Sequence, residues 1–285
     1  QPGEAYAEVI TPGYAIVLLL GMVLLEWVLH AVRLPLLAGV LGHRLSHRKA
    51  LGTVIAAEFA GLATPAGTGA GATYLFLLNR AGIPVGVGAG LTMVNVVVDT
   101  TFFATFLPAV ALIYLLGDHL GQALPIAGAL AGLPALGLAL LMAVIRYHRR
   151  PAIWLGRRMH RFPRQRYRLA RLLVQLRGSI RMLVRMGWRR MLALYLLAAL
   201  RYVMRYGLLP LVLFFLGGQV PWEYLFIIQG VVLFAGQATF VPGGGGGVEI
   251  GMGLLLAPYL EPALISTALL AWRFLTFYWY LLVGG

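Results

Sequence analysis

The sequence contains no cysteine in 285 residues, which excludes disulfides, iron–sulfur clusters and Cys-ligated zinc. Lysine is almost missing as well. Lys49 is the only one, so the formal charge of +14 is carried nearly all by arginine. Charged residues make up 11% of the chain against 60% apolar ones, a balance foreign to ordinary soluble domains. There is no HExxH, no Gly-x-Ser-x-Gly and no Walker loop, so nothing suggests a zinc protease, an α/β-hydrolase or ATP coupling in this chain. His43 and His47 are spaced i, i+4, but they stand among arginines without a carboxylate and make no metal site. Neither metal nor cofactor is expected. The chain starts at Gln1 rather than Met, which leaves room for residues upstream.

Long apolar runs are abundant instead. Spanning helices, each near the roughly 20 residues a bilayer crossing needs, are predicted at 14–41, 86–116, 124–145, 190–216 and 263–283. They are too many and too long for a cleaved signal peptide. Between them lie two broken segments. In the first, 51–63 is apolar, 64–71 reads Thr-Pro-Ala-Gly-Thr-Gly-Ala-Gly, and 72–79 is apolar again; the second runs 223–239, Gly243–Gly247, 248–257. Thirteen helical residues rise only about 20 Å, short of the hydrocarbon core, so a re-entrant hairpin is expected at 51–79 and its counterpart at 223–257.

The two broken segments belong to a repeat. Residues 26–64 align with 201–239 without a gap, Pro35 on Pro210, Gly42 on Gly217 and Phe59-Ala60-Gly61 on Phe234-Ala235-Gly236. Pro65–Gly69 then answers Pro242–Gly246, and Pro84 answers Pro262. Paired hydrophobic segments broken at matching places are the sequence mark of a transporter's binding site. Charge sets the orientation: Arg44, Arg48, Lys49 and Arg80 belong inside, as do the fifteen arginines from Arg146 to Arg190. The turns at 117–123 and 217–222 lack Lys and Arg and belong outside. Parity then makes the copies opposite in orientation.

The expected fold is therefore an all-α polytopic membrane protein with an inverted-topology repeat and two re-entrant broken-helix hairpins. Residues 1–116 form the first repeat, 117–189 a connecting span with a basic cytoplasmic segment, and 190–285 the second repeat. Within that segment, Arg177, Arg181 and Arg185 stripe one side of a surface helix at 164–189, placed to meet anionic lipid headgroups. Nucleic acid is not an expected partner.

Charges in the hydrocarbon are the strongest local signal, since each costs about 2.5–3.5 kcal/mol even on the mildest scale. The acids are Glu26, Glu58, Asp99 and Glu249; the bases are Arg201, Arg205 and Arg273. Under the repeat Glu26 and His30 fall on Arg201 and Arg205. An ion pair of Glu26 with Arg201 or Arg205 is predicted, and another of Glu249 with Arg273. Each pair is either an inter-repeat lock or part of a substrate site. The glycines Gly243, Gly244 and Gly245, with Thr64 in the first break, would face the midplane beside half-helix N-termini that suit an anion, or else serve close helix packing.

Pro242-Gly243-Gly244-Gly245-Gly246-Gly247-Val248-Glu249 fits a Pro-Gly-Gly-x-Gly-x-x-Glu pattern, followed by Arg273-Phe274-Leu275-Thr276. With Ala57-Glu58-Phe59-Ala60-Gly61 and Thr64-Pro65, this resembles the flippase-like transmembrane domain of the lysylphosphatidylglycerol synthase (multiple peptide resistance factor) family, in its stand-alone form. Thr64-Pro65-Ala66-Gly67 departs from the second half's Pro-Gly-Gly. The resemblance implies transport of a phospholipid, often aminoacylated, between leaflets of a bacterial plasma membrane, and not its synthesis. Arg201, Arg205, Arg273, Glu26, Glu249, Asp99, Thr64 and the glycines would line the path. An ion-coupled carrier of a small polar anion, a membrane enzyme acting on a lipid-linked substrate and a purely structural role are the alternatives.

Overall fold

A computed structural model describes residues 12–116, 178, 181, 186–238 and 241–285. The expected span at 124–145 and most of the basic segment at 164–189 lie outside the described residues. Every regular element among the described residues is helical. The elements are α1 (Pro12–Val40), α2 (His47–Ala63), α3 (Thr68–Arg80), α4 (Val85–Leu116), α5 (Trp188–Phe215), α6 (Trp222–Ala238), α7 (Gly247–Leu256) and α8 (Pro262–Arg273). A π-helical turn (Phe274–Tyr278) and α9 (Trp279–Gly284) continue α8. Among the described residues, four stretches are long and apolar enough to cross a bilayer: Gly13–Val40, Val85–Tyr114, Trp188–Phe215 and Pro262–Gly284. Each matches a predicted span to within two residues. Large apolar side chains such as Val17, Leu196, Leu254 and Leu270 are exposed on the outer surface, as expected of a protein whose solvent is hydrocarbon.

Three of the described helices run through internal prolines, at Pro35, Pro108 and Pro210. Pro210 lacks the N–H that would bond the Tyr206 carbonyl one turn back. Gln229 of α6 supplies the missing donor, its Nε2 lying 2.9 Å from that carbonyl oxygen while itself fully buried. A polar residue in an apolar helix is thereby explained: it repairs a neighbour's backbone.

The first break is shorter than expected. α3 begins at Thr68, four residues before the apolar stretch at 72–79. Thr64 ends α2 in an extended conformation, and its hydroxyl accepts from the Gly69 N–H at 2.7 Å while donating to the Ala60 carbonyl at 2.6 Å. Small residues extend the helix backwards because the arms lie so close: a Cβ on Gly69 would stand 2.5 Å from the Ala60 oxygen. Polar composition had suggested loop; tight packing overrides it.

The second break, Pro242–Gly244, is governed by backbone conformation. Gly243, Gly244 and Gly246 all have positive φ, at 61°, 66° and 77°, where side chains are strained. Gly244 also lies against Gly236, where an added Cβ would stand 3.1 Å from the Gly236 Cα. Conformation and close packing thus require at least three of the five glycines. The equivalent bend in the first copy places Ala66 at φ 51°, the one non-glycine with positive φ among the described residues.

Packing joins the halves. α1 packs along α5, α2 along α9, and α6 along α4, while the two breaks touch each other. Leu45, Leu78, Ile83 and Met186 share one buried cluster. The opposite grouping brings Tyr224 to 6.0 Å from Tyr114 and 4.9 Å from Tyr259, between ring centroids.

Candidate functional site

Arg201 of α5 is the centre of a buried charge network. Its Nε donates to Glu26 Oε1 of α1 at 2.6 Å and its Nη2 to Glu58 Oε1 of α2 at 2.7 Å. Asp99 Oδ2 of α4 lies 3.6 Å from its Nη1. One guanidinium thus ties four helices together through its fixed fork of donors. Glu26 is 1% exposed and also accepts from the Tyr280 hydroxyl at 2.5 Å. The predicted Glu26–Arg201 pair is present, and its members are separated by 175 positions, the offset of the repeat itself.

Arg205, one turn further along α5, is held more loosely. Its Nη1 lies 3.6 Å from Glu26 and 3.5 Å from Glu58, and its guanidinium rests 5.1 Å from the Tyr280 ring. Arg33 is fully buried and donates to Asp99 at 2.6 Å and, at 3.4 Å, to the Asn95 carbonyl. On the first copy's side, His30 Nδ1 stands 3.3 Å from Glu58 Oε1, and its Nε2 3.1 Å from the Tyr74 hydroxyl. Three carboxylates (Glu26, Glu58, Asp99) therefore meet three guanidinium groups (Arg33, Arg201, Arg205), with His30 as the remaining titratable partner. Glu26, His30 and Glu58 place ligand atoms within 4.8 Å of one another. Arg201 pairs with both carboxylates of this trio.

A second pair lies at the glycine break. Arg273 ends α8, is buried, and donates through Nε to Glu249 Oε1 at 2.6 Å and through Nη2 to the Gly243 carbonyl at 3.1 Å. The π-helical turn that follows is a local widening of the helix, a feature frequent at functional sites; it presents Phe277 against Gly243. The predicted Glu249–Arg273 pair is thereby present too.

Between the halves is a cavity of 480 Å³. Both breaks reach it, through Ala66 and Gly67 on one side and Gly243 and Gly244 on the other. Of the residues singled out from the sequence, Arg201, Arg205, Arg273, Asp99, Gly243 and Gly244 line it. Glu26, Glu249 and Gly245 do not line it, although each of the two glutamates pairs with an arginine that does, and the Thr64 hydroxyl is spent on the turn between α2 and α3. Glu58, named only as a membrane acid, and His30, named only as the repeat partner of Arg205, line the cavity, as do the unforeseen Tyr74, Asn95 and Tyr202. Arg33 was missed although it lies inside the first predicted span, where any arginine is a signal.

A family model described as lysylphosphatidylglycerol synthase TM region matches residues 6–284. A UPF0104 membrane protein of Archaeoglobus fulgidus is 22% identical over 270 residues, covering 91% of this chain and 81% of that protein.

Proposed function

The chain belongs to the lysylphosphatidylglycerol synthase transmembrane-region family, and on that premise we propose that it moves a phospholipid between leaflets of the plasma membrane. The headgroup, plain or aminoacylated, enters the cavity between the halves while the acyl chains stay in lipid. The observation that carries this reading is the meeting of both helix breaks and both charge clusters at one 480 Å³ cavity inside a protein of membrane-spanning helices.

The two halves are inverted copies, and the breaks are re-entrant hairpins entered from opposite faces. Four features support this. A residue beside a twofold axis meets its own counterpart, as Glu26 meets Arg201. Arg44, Arg48 and Lys49 precede or open α2, Arg80 ends α3 and Arg189 and Arg190 open α5, near the Leu45–Leu78–Met186 cluster. The turns near Tyr224 and Tyr259 carry Glu223 and Glu261 without a cation. Trp188 is 71% exposed with the Arg189 guanidinium 5.8 Å from its ring, suited to anionic headgroups at the cytoplasmic interface.

Arg205 and Arg273 hold the phosphate. Arg201 is fully engaged and pins the halves; Arg205, lacking a contact below 3.4 Å to any partner, has donors to offer. Rocking of one half against the other alternates access. The test is scrambling of a fluorescent phosphatidylglycerol in proteoliposomes, read by dithionite bleaching. Arg205→Ala and Arg273→Ala each slow translocation at least about tenfold, one lost charge-assisted contact of roughly 1.5–3 kcal/mol. Wild-type rates in both variants refute the assignment.

A further inference from the structure

The charge network is balanced only while His30 is neutral. Three carboxylates face three guanidinium groups, so a proton on His30 leaves the buried cluster with one positive charge. An uncompensated charge in a low-dielectric site is costly, and a phosphodiester monoanion entering the cavity removes that cost. An anion entering the neutral network creates the same cost with the opposite sign. Proton and anion therefore favour each other's binding.

The geometry points to His30 as a proton-binding site that couples proton uptake to uptake of a phosphodiester anion in the cavity. This rests on the headgroup reading above. His30 lines the cavity together with Glu58 and Tyr74. Its ring nitrogens face a carboxylate at 3.3 Å and a phenol at 3.1 Å, the surroundings of an imidazole that gains and loses a proton. The other candidates are engaged. Glu26 and Glu58 accept from Arg201, and Asp99 from Arg33, all within 2.7 Å. Glu249 accepts from Arg273 at 2.6 Å and lies off the cavity. The other charged groups acting on the ring are Arg201 of α5 and Arg33 of α1, the first held by Glu26 and Glu58 and the second by Asp99. The repeat adds a reason for histidine here. Its counterpart is Arg205, so one copy carries a permanent charge and the other a switchable one.

The proton step is a simple association: Nδ1 or Nε2 takes a proton from cavity water, and no covalent bond in the anion changes. Linkage fixes the sign. Anion affinity is full where His30 is protonated and falls by roughly tenfold per unit rise in pH above its titration. The test is calorimetry on purified protein in two buffers of different ionisation enthalpy, at unit steps of pH. Dihexanoyl phosphatidylglycerol is the lipid probe and dimethyl phosphate the free-anion probe; neither titrates in that range.

The expected result is uptake of about one proton per lipid bound near neutral pH, falling to none in acid. His30→Gln binds more weakly and takes up no proton. His30→Arg binds with an affinity independent of pH, which keeps the inference falsifiable if the glutamine variant misfolds. Proton uptake with dimethyl phosphate alone supports the proton site and assigns its anion to a free solute. Lipid binding without proton uptake overturns the proton site and leaves the headgroup reading intact. Failure of both probes to bind overturns the two together.

Discussion

Glu26→Ala is the substitution whose consequence the structure defines most sharply. The carboxylate is 1% exposed, accepts from Arg201 at 2.6 Å and Tyr280 at 2.5 Å, and has Arg205 at 3.6 Å. Removing it leaves Arg201 and Arg205 to share Glu58 as their nearest carboxylate and takes away the acceptor of the Tyr280 hydroxyl. Breaking a buried pair in this way costs about 3–5 kcal/mol. At a few degrees per kcal/mol, that lowers the midpoint of thermal unfolding in detergent by about 10 °C or more. Glu26→Gln keeps the volume and an acceptor and costs about half as much. Arg201→Ala costs more than Glu26→Ala, because it releases Glu26 and Glu58 at once. The double alanine variant is less unstable than the sum of the singles by about 1–3 kcal/mol, the coupling expected of residues in one network. A Glu26→Ala loss below about 0.5 kcal/mol, the level of a surface change, or strict additivity, refutes the view that this pair locks the halves.

Two further substitutions probe the supporting geometry. Gly243→Ala requires a side chain at φ 61° and drives its methyl into the Phe277 ring; it lowers the unfolding midpoint and, through the Gly243–Arg273 hydrogen bond, slows scrambling, while the same change at the open Gly253 does neither. Asp99→Ala leaves Arg33, which is fully buried, without its 2.6 Å partner and costs about 3–5 kcal/mol in the same unfolding assay, with a loss confined to a few tenths counting against a structural role for that pair.

The four spans among the described residues were legible because apolar length alone identifies them, and both ion pairs because charge in hydrocarbon must find a partner. The start of α3 was not legible, since Thr68-Gly69-Ala70-Gly71 reads as loop until the proximity of Ala60 explains why only small residues fit. Gln229 and Thr64 each satisfy backbone at a helix irregularity, Pro210 in one case and the turn between α2 and α3 in the other. His30 and Tyr74 are forty-four positions apart, and no local pattern announces that they touch. The excess positive charge of the sequence does not extend into the centre, where acids and arginines match.

The absence of cysteine allows the inversion of the two halves to be measured directly. Asn79→Cys and Glu261→Cys each introduce a unique thiol at an exposed position, one at the end of α3 and one just before α8. Treated with a membrane-impermeant maleimide, intact cells label position 261, whereas position 79 reacts only once the cells are opened. Labelling of both from the same side contradicts the inverted arrangement.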